Sequence, residues 1–336
     1  MGPHMALSET VERILFPACE PYRSGHFAVG DGHEVYVEEC GNPDGVPVLF
    51  VHGGPGAGCS EADRRFFDPE RTRVVLVDQR GAGRSRPAGS LEANTTAHLV
   101  ADFERVRREL GIARWHLFGG SWGSTLSLCY AQAHPEVALS LTLRGIWLMR
   151  KADMDWWIDG VGRLRPEAWR AFSEHIAPEK RGDLLEAYWE LLNSPDRDVA
   201  LAAARAWSVY EGSGCTLLPD AEFTAHFAEE HTAWNVARLE AHYIRNQAFE
   251  PDDLLLRRMP RIAHLPGFIV HGRYDLVCPV DEADLLHRAW PGSELVIVED
   301  AGHASREPGT ATELVGACRR LVATGDPRRA RARGPV

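Results

Sequence analysis

Three residues of this chain have the type, order and setting to carry out nucleophilic chemistry: Ser121, Asp275 and His303. Gly119-Gly120-Ser121-Trp122-Gly123 has the G-x-S-x-G pattern that holds a serine on a sharp strand-to-helix turn with its hydroxyl exposed. The glycines are needed because any bulkier neighbour would clash where the chain reverses. A serine hydroxyl is a poor nucleophile until a base takes its proton, and that base needs a group to orient it. Asp275 follows the apolar run ending at His271, and His303 follows the run ending at Val298. The order Ser, acid, His is the one the α/β-hydrolase arrangement uses. An acyl-transfer reaction with Ser121 as nucleophile, His303 as base and Asp275 as its orienting acid is the chemistry these residues imply.

A tetrahedral intermediate also requires preformed N–H donors for its oxyanion. The backbone N–H of Trp122, directly after the serine, is one candidate. The other lies in His52-Gly53-Gly54-Pro55-Gly56, after an apolar run, and is assigned to Gly54 in preference to Gly53. Two other uses of these glycines fail. Gly53–Gly58 has phosphate-loop spacing, but Cys59 stands where the lysine belongs. Gly81-Ala82-Gly83 is followed by Arg86 where a dinucleotide fingerprint needs its third glycine.

The elements that must position these groups can be read from periodicity. His33–Cys40 alternates as a strand does after the turn-forming Gly30-Asp31-Gly32, and Val46–Val51 and Arg73–Val77 are compact β-branched runs suited to a buried parallel sheet. Thr95 and Thr96 open an amphipathic helix to about Gly111, with Leu99, Phe103, Val106 and Leu110 on one face. Strands at Trp115–Phe118 and Leu139–Leu143 flank a helix at Thr125–His134. The alternation resumes with Gly267–His271, Val280–Ala289, Glu294–Val298 and Thr310–Val322. Strand and helix in turn predict a mostly parallel sheet flanked by helices. Between them, residues 146–260 are helical, Trp-rich and without a convincing strand. The expected organisation is an α/β-hydrolase core of residues 6–145 and 261–325 carrying an inserted helical cap of residues 146–260. Residues 1–5 read as a cloning remnant, and 326–336, with the run Arg328-Arg329-Ala330-Arg331-Ala332-Arg333, as a disordered tail.

Bulk properties exclude several classes. Of 336 residues, 44% are hydrophobic and 25% charged, as in a globular protein with a large core. Acidic residues outnumber basic ones 48 to 37, for a net charge of −11, which leaves no cation excess to neutralise nucleic-acid phosphates. No apolar run approaches the ~18 residues of a membrane span, and no secretory signal precedes the core. The seven cysteines are scattered without a CxxC pair, so neither metal nor cofactor is expected, and free thiols in the cytoplasm fit best.

Taken together, His52-Gly-Gly-Pro-Gly56, Asp78-Gln-Arg-Gly-Ala-Gly-Arg-Ser85, Gly119-Gly-Ser-Trp-Gly-Ser-Thr-Leu126, Leu143-Arg-Gly145, Trp234-Asn235, Glu240-Ala-His-Tyr243 and Gly302-His303 resemble the prolyl aminopeptidases, or proline iminopeptidases. The resemblance runs from about residue 12 to 322. It implies a helical cap whose carboxylates bind the free α-amino group of a small peptide or aminoacyl amide. Glu211, in Trp207-Ser-Val-Tyr-Glu-Gly212, and Glu240 match those positions. Arg144 is expected to orient one of these glutamates or to form an ion pair. Where the family often has Phe, this chain has Trp147; Trp157 and Ile244 likewise depart from the usual pattern, so these positions are expected to shape the side-chain pocket and to widen it beyond proline. Two other readings stay open: a hydrolase of another small amide or ester on the same scaffold, separated by whether a free amine is required, and a ligand receptor with little turnover. An epoxide hydrolase would need aspartate at position 121.

Overall fold

The computed structural model describes residues 8–328. The expected remnant at 1–5 and the arginines from 329 onward lie outside that range. Eight strands form one sheet: β1 (Pro21–Gly30), β2 (His33–Gly41), β3 (Val46–Val51), β4 (Thr72–Asp78), β5 (Trp115–Ser121), β6 (Ala138–Ile146), β7 (Gly267–Gly272) and β8 (Ser293–Val298). Their order is β1-β2-β4-β3-β5-β6-β7-β8. β1 and β2 pair antiparallel, as do β2 and β4, and every pairing from β4 to β8 is parallel. The sheet is thus mostly parallel, as the alternation of elements implies.

Successive strand side chains point to opposite faces, and the apolar runs fill both. Leu49, Val51, Val75 and Val77 join one core with Leu99 and Phe103 of α2 (Thr96–Glu109), Leu126 of α3 (Trp122–Ala133) and Leu286 of α11 (Val280–Ala289). Their neighbours Val48, Phe50, Val74 and Leu76 join a second core with Val11 of α1 (Glu9–Ile14) and Leu314 and Leu321 of α12 (Pro308–Thr324). Burial on both faces is why these strands read as continuous apolar runs. The Thr95 hydroxyl accepts from the His98 N–H and so starts α2 at the expected place.

Between β6 and β7 the chain is helical: α4 (Lys151–Asp155), α5 (Pro166–Glu174), α6 (Leu184–Leu192), α7 (Arg197–Gly214), α8 (Ala221–Phe227), α9 (Glu230–Arg245) and α10 (Leu254–Arg257). Its interior is aromatic. Phe172 stacks on Tyr188 with centroids 4.5 Å apart, and Trp207 lies 4.8 Å from Trp157. α9 lies against the loops at the C-terminal ends of β3 and β4. A Cβ on Gly56 would fall 2.5 Å from the Asn235 carbonyl, and one on Gly89 2.5 Å from the Trp234 indole nitrogen. The Tyr243 hydroxyl donates to Asn94 at 2.8 Å. At the other end of the chain, Arg328 is tied to Asp326 (2.8 Å), and the Arg328 backbone N–H donates to the same carboxylate at 2.9 Å. The chain therefore stays packed three residues past the expected boundary at 325, because Asp326 gives the first arginine of the run a partner.

Candidate active site

Ser121 is the last residue of β5 and the residue before α3. Its backbone sits at φ 58°, ψ −129°, a conformation that costs a non-glycine residue about 1–3 kcal/mol and persists only where the surroundings enforce it. Its neighbours show what enforces it. A Cβ on Gly119 would lie 2.3 Å from the Gly123 carbonyl, and one on Gly123 2.1 Å from the Val51 carbonyl. The G-x-S-x-G glycines therefore let β3, β5 and α3 approach closely enough to hold the turn. As the first residue of α3, Trp122 has a backbone N–H with no partner inside the helix, at the end where the helix dipole favours negative charge.

Asp275 lies in the turn after β7 and His303 in the loop after β8. One carboxylate oxygen of Asp275 accepts from the backbone N–H groups of Val277 (3.0 Å) and Cys278 (2.8 Å). The other accepts from Nδ1 of His303 at 2.7 Å. Burial alone would raise the Asp275 pKa, but His303, the hydrogen bonds and neighbouring His271 outweigh it and hold the carboxyl below its usual range. With Nδ1 of His303 donating to this carboxylate, Nε2 is the basic nitrogen. The His303 loop is fixed through its backbone. The N–H groups of His303 and Ala304 both donate to the Cys215 carbonyl (2.9 and 2.8 Å), and Glu307 accepts from Gly302 (2.6 Å) and Leu217 (2.8 Å).

Gly145 faces this pair. A Cβ there would stand 2.9 Å from Cε1 of His303 and 3.5 Å from the Asp275 carboxylate, and φ is +54°. Gly145→Ala is therefore expected to displace the imidazole and lower kcat by about a hundredfold, the scale of an ångström-level misplacement, with substrate KM little changed. A variant with wild-type kcat would show that the imidazole tolerates the shift.

The His52–Gly56 loop lies beside the nucleophile. A Cβ on Gly53 would be 3.2 Å from that of Ser121, while Gly54 adopts φ +104° with its Cβ position 2.5 Å from the Gly56 nitrogen. The loop is braced by groups that sequence reasoning did not single out. Nε2 of His52 accepts from the Gln79 N–H (2.9 Å), the Gln79 amide donates to the His52 carbonyl (2.9 Å), and the Trp122 indole donates to the Gln79 side-chain oxygen (2.8 Å). Asp78 accepts from the Cys59 N–H at 2.8 Å and pairs with Arg84 at 2.7 Å. Gln79 thereby joins the oxyanion loop to the first residue of α3.

Glu211 on α7 and Glu240 on α9 are both buried. They line one small inner pocket with Ser121, Gly54, Trp147, Trp157 and Ile244. The Trp157 indole donates to Glu211, and the Trp207 indole to Glu240 at 2.6 Å. Burial raises the pKa of both carboxyls, and for Glu240 the charge of Glu211 adds to it. Two carboxyls that resist ionisation, each answered only by an indole N–H, form a site short of positive charge. Arg144 does not supply that charge. Sequence reasoning assigns it to a glutamate, yet it donates to the His303 carbonyl at 2.8 Å. The reason is its place at the end of β6, with its guanidinium 2.5 Å from where a Gly120 Cβ would be, so it reaches the His303 loop. Trp207, Gln79, His271, Cys215 and Glu307 were missed. Of these only Trp207 left a signal, one helical turn before Glu211.

A family model described as the alpha/beta hydrolase fold matches residues 46–309. The chain is 48% identical over 313 residues to a probable proline iminopeptidase of Leptolyngbya boryana, spanning 93% of this chain and 98% of that protein. It is 50% identical over 305 residues to a proline iminopeptidase of Xylella fastidiosa, with 90% and 97% covered. The crystal structure of a proline iminopeptidase from Mycobacterium smegmatis, 21% identical, superposes with a TM-score of 0.61 over 90% of this chain and 100% of that one, a likeness of fold. With these relatives matched over nearly their full length, the chain belongs to the proline iminopeptidase family of α/β hydrolases.

Proposed function

We propose that this serine hydrolase is an aminopeptidase that releases an N-terminal residue, proline by default, from small peptides or aminoacyl amides, with Ser121, His303 and Asp275 as its triad. Ser121 Oγ attacks the carbonyl carbon while Nε2 of His303 takes its proton. The oxyanion is received by the N–H groups of Trp122 and Gly54. His303 returns the proton to the leaving amine, and water then releases the acyl group by the same route. The observation that carries this reading is the pair of buried carboxylates sharing a pocket with the nucleophile. An ammonium is the group that compensates both, and its charge-assisted hydrogen bonds would fix the substrate's first residue with its carbonyl at Ser121. The apolar walls of Trp147, Trp157 and Ile244 suit a compact ring or a small side chain, and proline and alanine are both expected to be accepted. The seven cysteines form no disulfide among the described residues, which fits a reducing cytoplasm.

The test is kcat/KM on prolyl and alanyl chromogenic amides, each with its α-amine free and acetylated. Free-amine substrates are expected to exceed the acetylated ones by at least about a hundredfold, since hydrogen bonds to charged groups contribute ~1.5–3 kcal/mol each. Equal cleavage of both forms would favour a general small-amide or ester hydrolase, and rejection of alanine would remove the widened pocket alone.

A further inference from the structure

Two cavities meet at Ser121, and they differ in size and character. The inner pocket, which holds Glu211 and Glu240, has ≈ 20 Å³ of free space and closes tightly around a first residue. The outer cleft has ≈ 540 Å³, within the range of sites that bury a small ligand. If the amine end of a substrate occupies the inner pocket, the scissile carbonyl sits at Ser121. Everything beyond that bond must then lie in the outer cleft.

The walls of that cleft have features the reaction at Ser121 does not use. Phe223 and Phe227 of α8 line it, with ring centroids 5.4 Å apart. Both are half-buried, and neither belongs to the two apolar cores, so an apolar ligand side chain could cover them. Arg306, three residues after His303, also lines the cleft. It is half-buried, and its side chain has no ion-pair or hydrogen-bond partner among the described residues. The other exposed cation on this wall is committed: Arg84 pairs with Asp78 and Glu38. Arg144, deeper in the cleft, donates to the His303 carbonyl. A guanidinium without a partner on the wall of a ligand-sized cleft is matched to a carboxylate, which it can bind through two parallel hydrogen bonds.

We propose that the outer cleft is a leaving-group subsite for short peptides with an unblocked C-terminus, in which Phe223 and Phe227 cover an apolar residue after the scissile bond and Arg306 binds the terminal carboxylate. This inference rests on the aminopeptidase reading above and extends it to the substrate's other half. It makes the protein a dipeptide and tripeptide enzyme, whose substrates come from reactions that have already cut polypeptides to short fragments. Asp63 and Glu61 line the opposite side of the cleft mouth's polar wall set, so a leaving residue with an acidic side chain is disfavoured relative to an apolar one.

The experiment compares three substrates on the full chain: prolyl-phenylalanine, its C-terminal amide, and prolinamide, whose leaving group is only ammonia. For the wild type, kcat/KM on the free acid is expected to exceed that on the amide by about tenfold, mostly through KM. Arg306→Gln is expected to reduce that ratio to below threefold, and Arg306→Lys to restore part of it. Phe227→Ala is expected to lower the preference for phenylalanine over glycine as leaving residue by about tenfold. Because each readout is a ratio within one variant, a partial loss of folded protein does not affect it. A wild type that cleaves free acid and amide equally, or an Arg306→Gln variant that keeps the full ratio, would overturn the carboxylate subsite. Failure to hydrolyse prolinamide would instead strike the proposed aminopeptidase activity.

Discussion

Replacing Ser121 by alanine is expected to lower kcat on a prolyl amide by on the order of 10⁶-fold while the protein stays folded. The loss is this large because the reaction is routed through one oxygen. Alanine leaves the Trp122 and Gly54 N–H groups and the two glutamates in place, so substrate still binds but no acyl-enzyme forms. The backbone strain at φ 58° is imposed by β3 and α3 and remains with alanine, so thermal stability should change little. His303→Ala should fall nearly as far, and the double variant hardly further, because members of such a unit are not additive. Single-turnover rates, labelling by a fluorophosphonate probe and a melting curve check this together. Turnover that survives in Ser121→Ala and titrates with enzyme would refute the mechanism.

The second large effect is at Glu240. Glu240→Gln keeps the shape and still accepts from the Trp207 indole, but removes a charge, and is expected to lower kcat/KM on free-amine substrates by on the order of 10²-fold. Acetylated substrates, poor for the wild type, should change little. The same substitution has an opposite consequence for stability. Burial first, and then the Glu211 charge, raise the Glu240 pKa in the folded protein. The folded state therefore holds that proton more tightly than the unfolded chain does. Stability then falls as pH rises from the ordinary carboxylate range through the raised value. Without substrate, Glu240→Gln should melt higher than the wild type above that range, and the gain should vanish as pH drops into it. With Glu240 neutral, Glu211 loses a repelling neighbour, and the acidic limb of the remaining activity should move to lower pH. Melting temperatures across pH, with and without a proline-like amine, read both effects. A variant less stable than wild type at neutral and alkaline pH would show that the pair is not an electrostatic cost to the fold.

The sheet was largely legible because its central strands are buried on both faces. Val46–Val51 and the helix Val280–Ala289 have the bounds their patterns suggest. β1 was not recognised beyond its closing turn. It is an edge strand with Pro21 and Gly25 in it and exposed polar residues on one side, so it lacks the apolar run that marks its neighbours. α1 is only six residues long, too short for a helical period to show. In the site, Ser121, Asp275 and His303 could be singled out because each follows a strand in a fixed order. The residues that hold them are another matter. Cys215 acts through its carbonyl and Glu307 through backbone N–H groups 5 and 90 residues away, contacts that no spacing rule encodes. The Arg144 assignment failed for the same reason: position on β6 determines its reach, and only the packing against Gly120 shows which way it turns.

The most direct test of the central claim is to trap the acyl-enzyme. A prolyl ester turned over at acidic pH and quenched within one turnover, followed by peptide mapping with mass spectrometry, reports which side chain carries the acyl group. The account predicts a single prolyl adduct on the peptide containing Ser121, formed from the free-amine ester and nearly absent with its N-acetyl counterpart. A prolyl adduct on any other residue, or equal labelling of Ser121 by the acetylated ester, would contradict it.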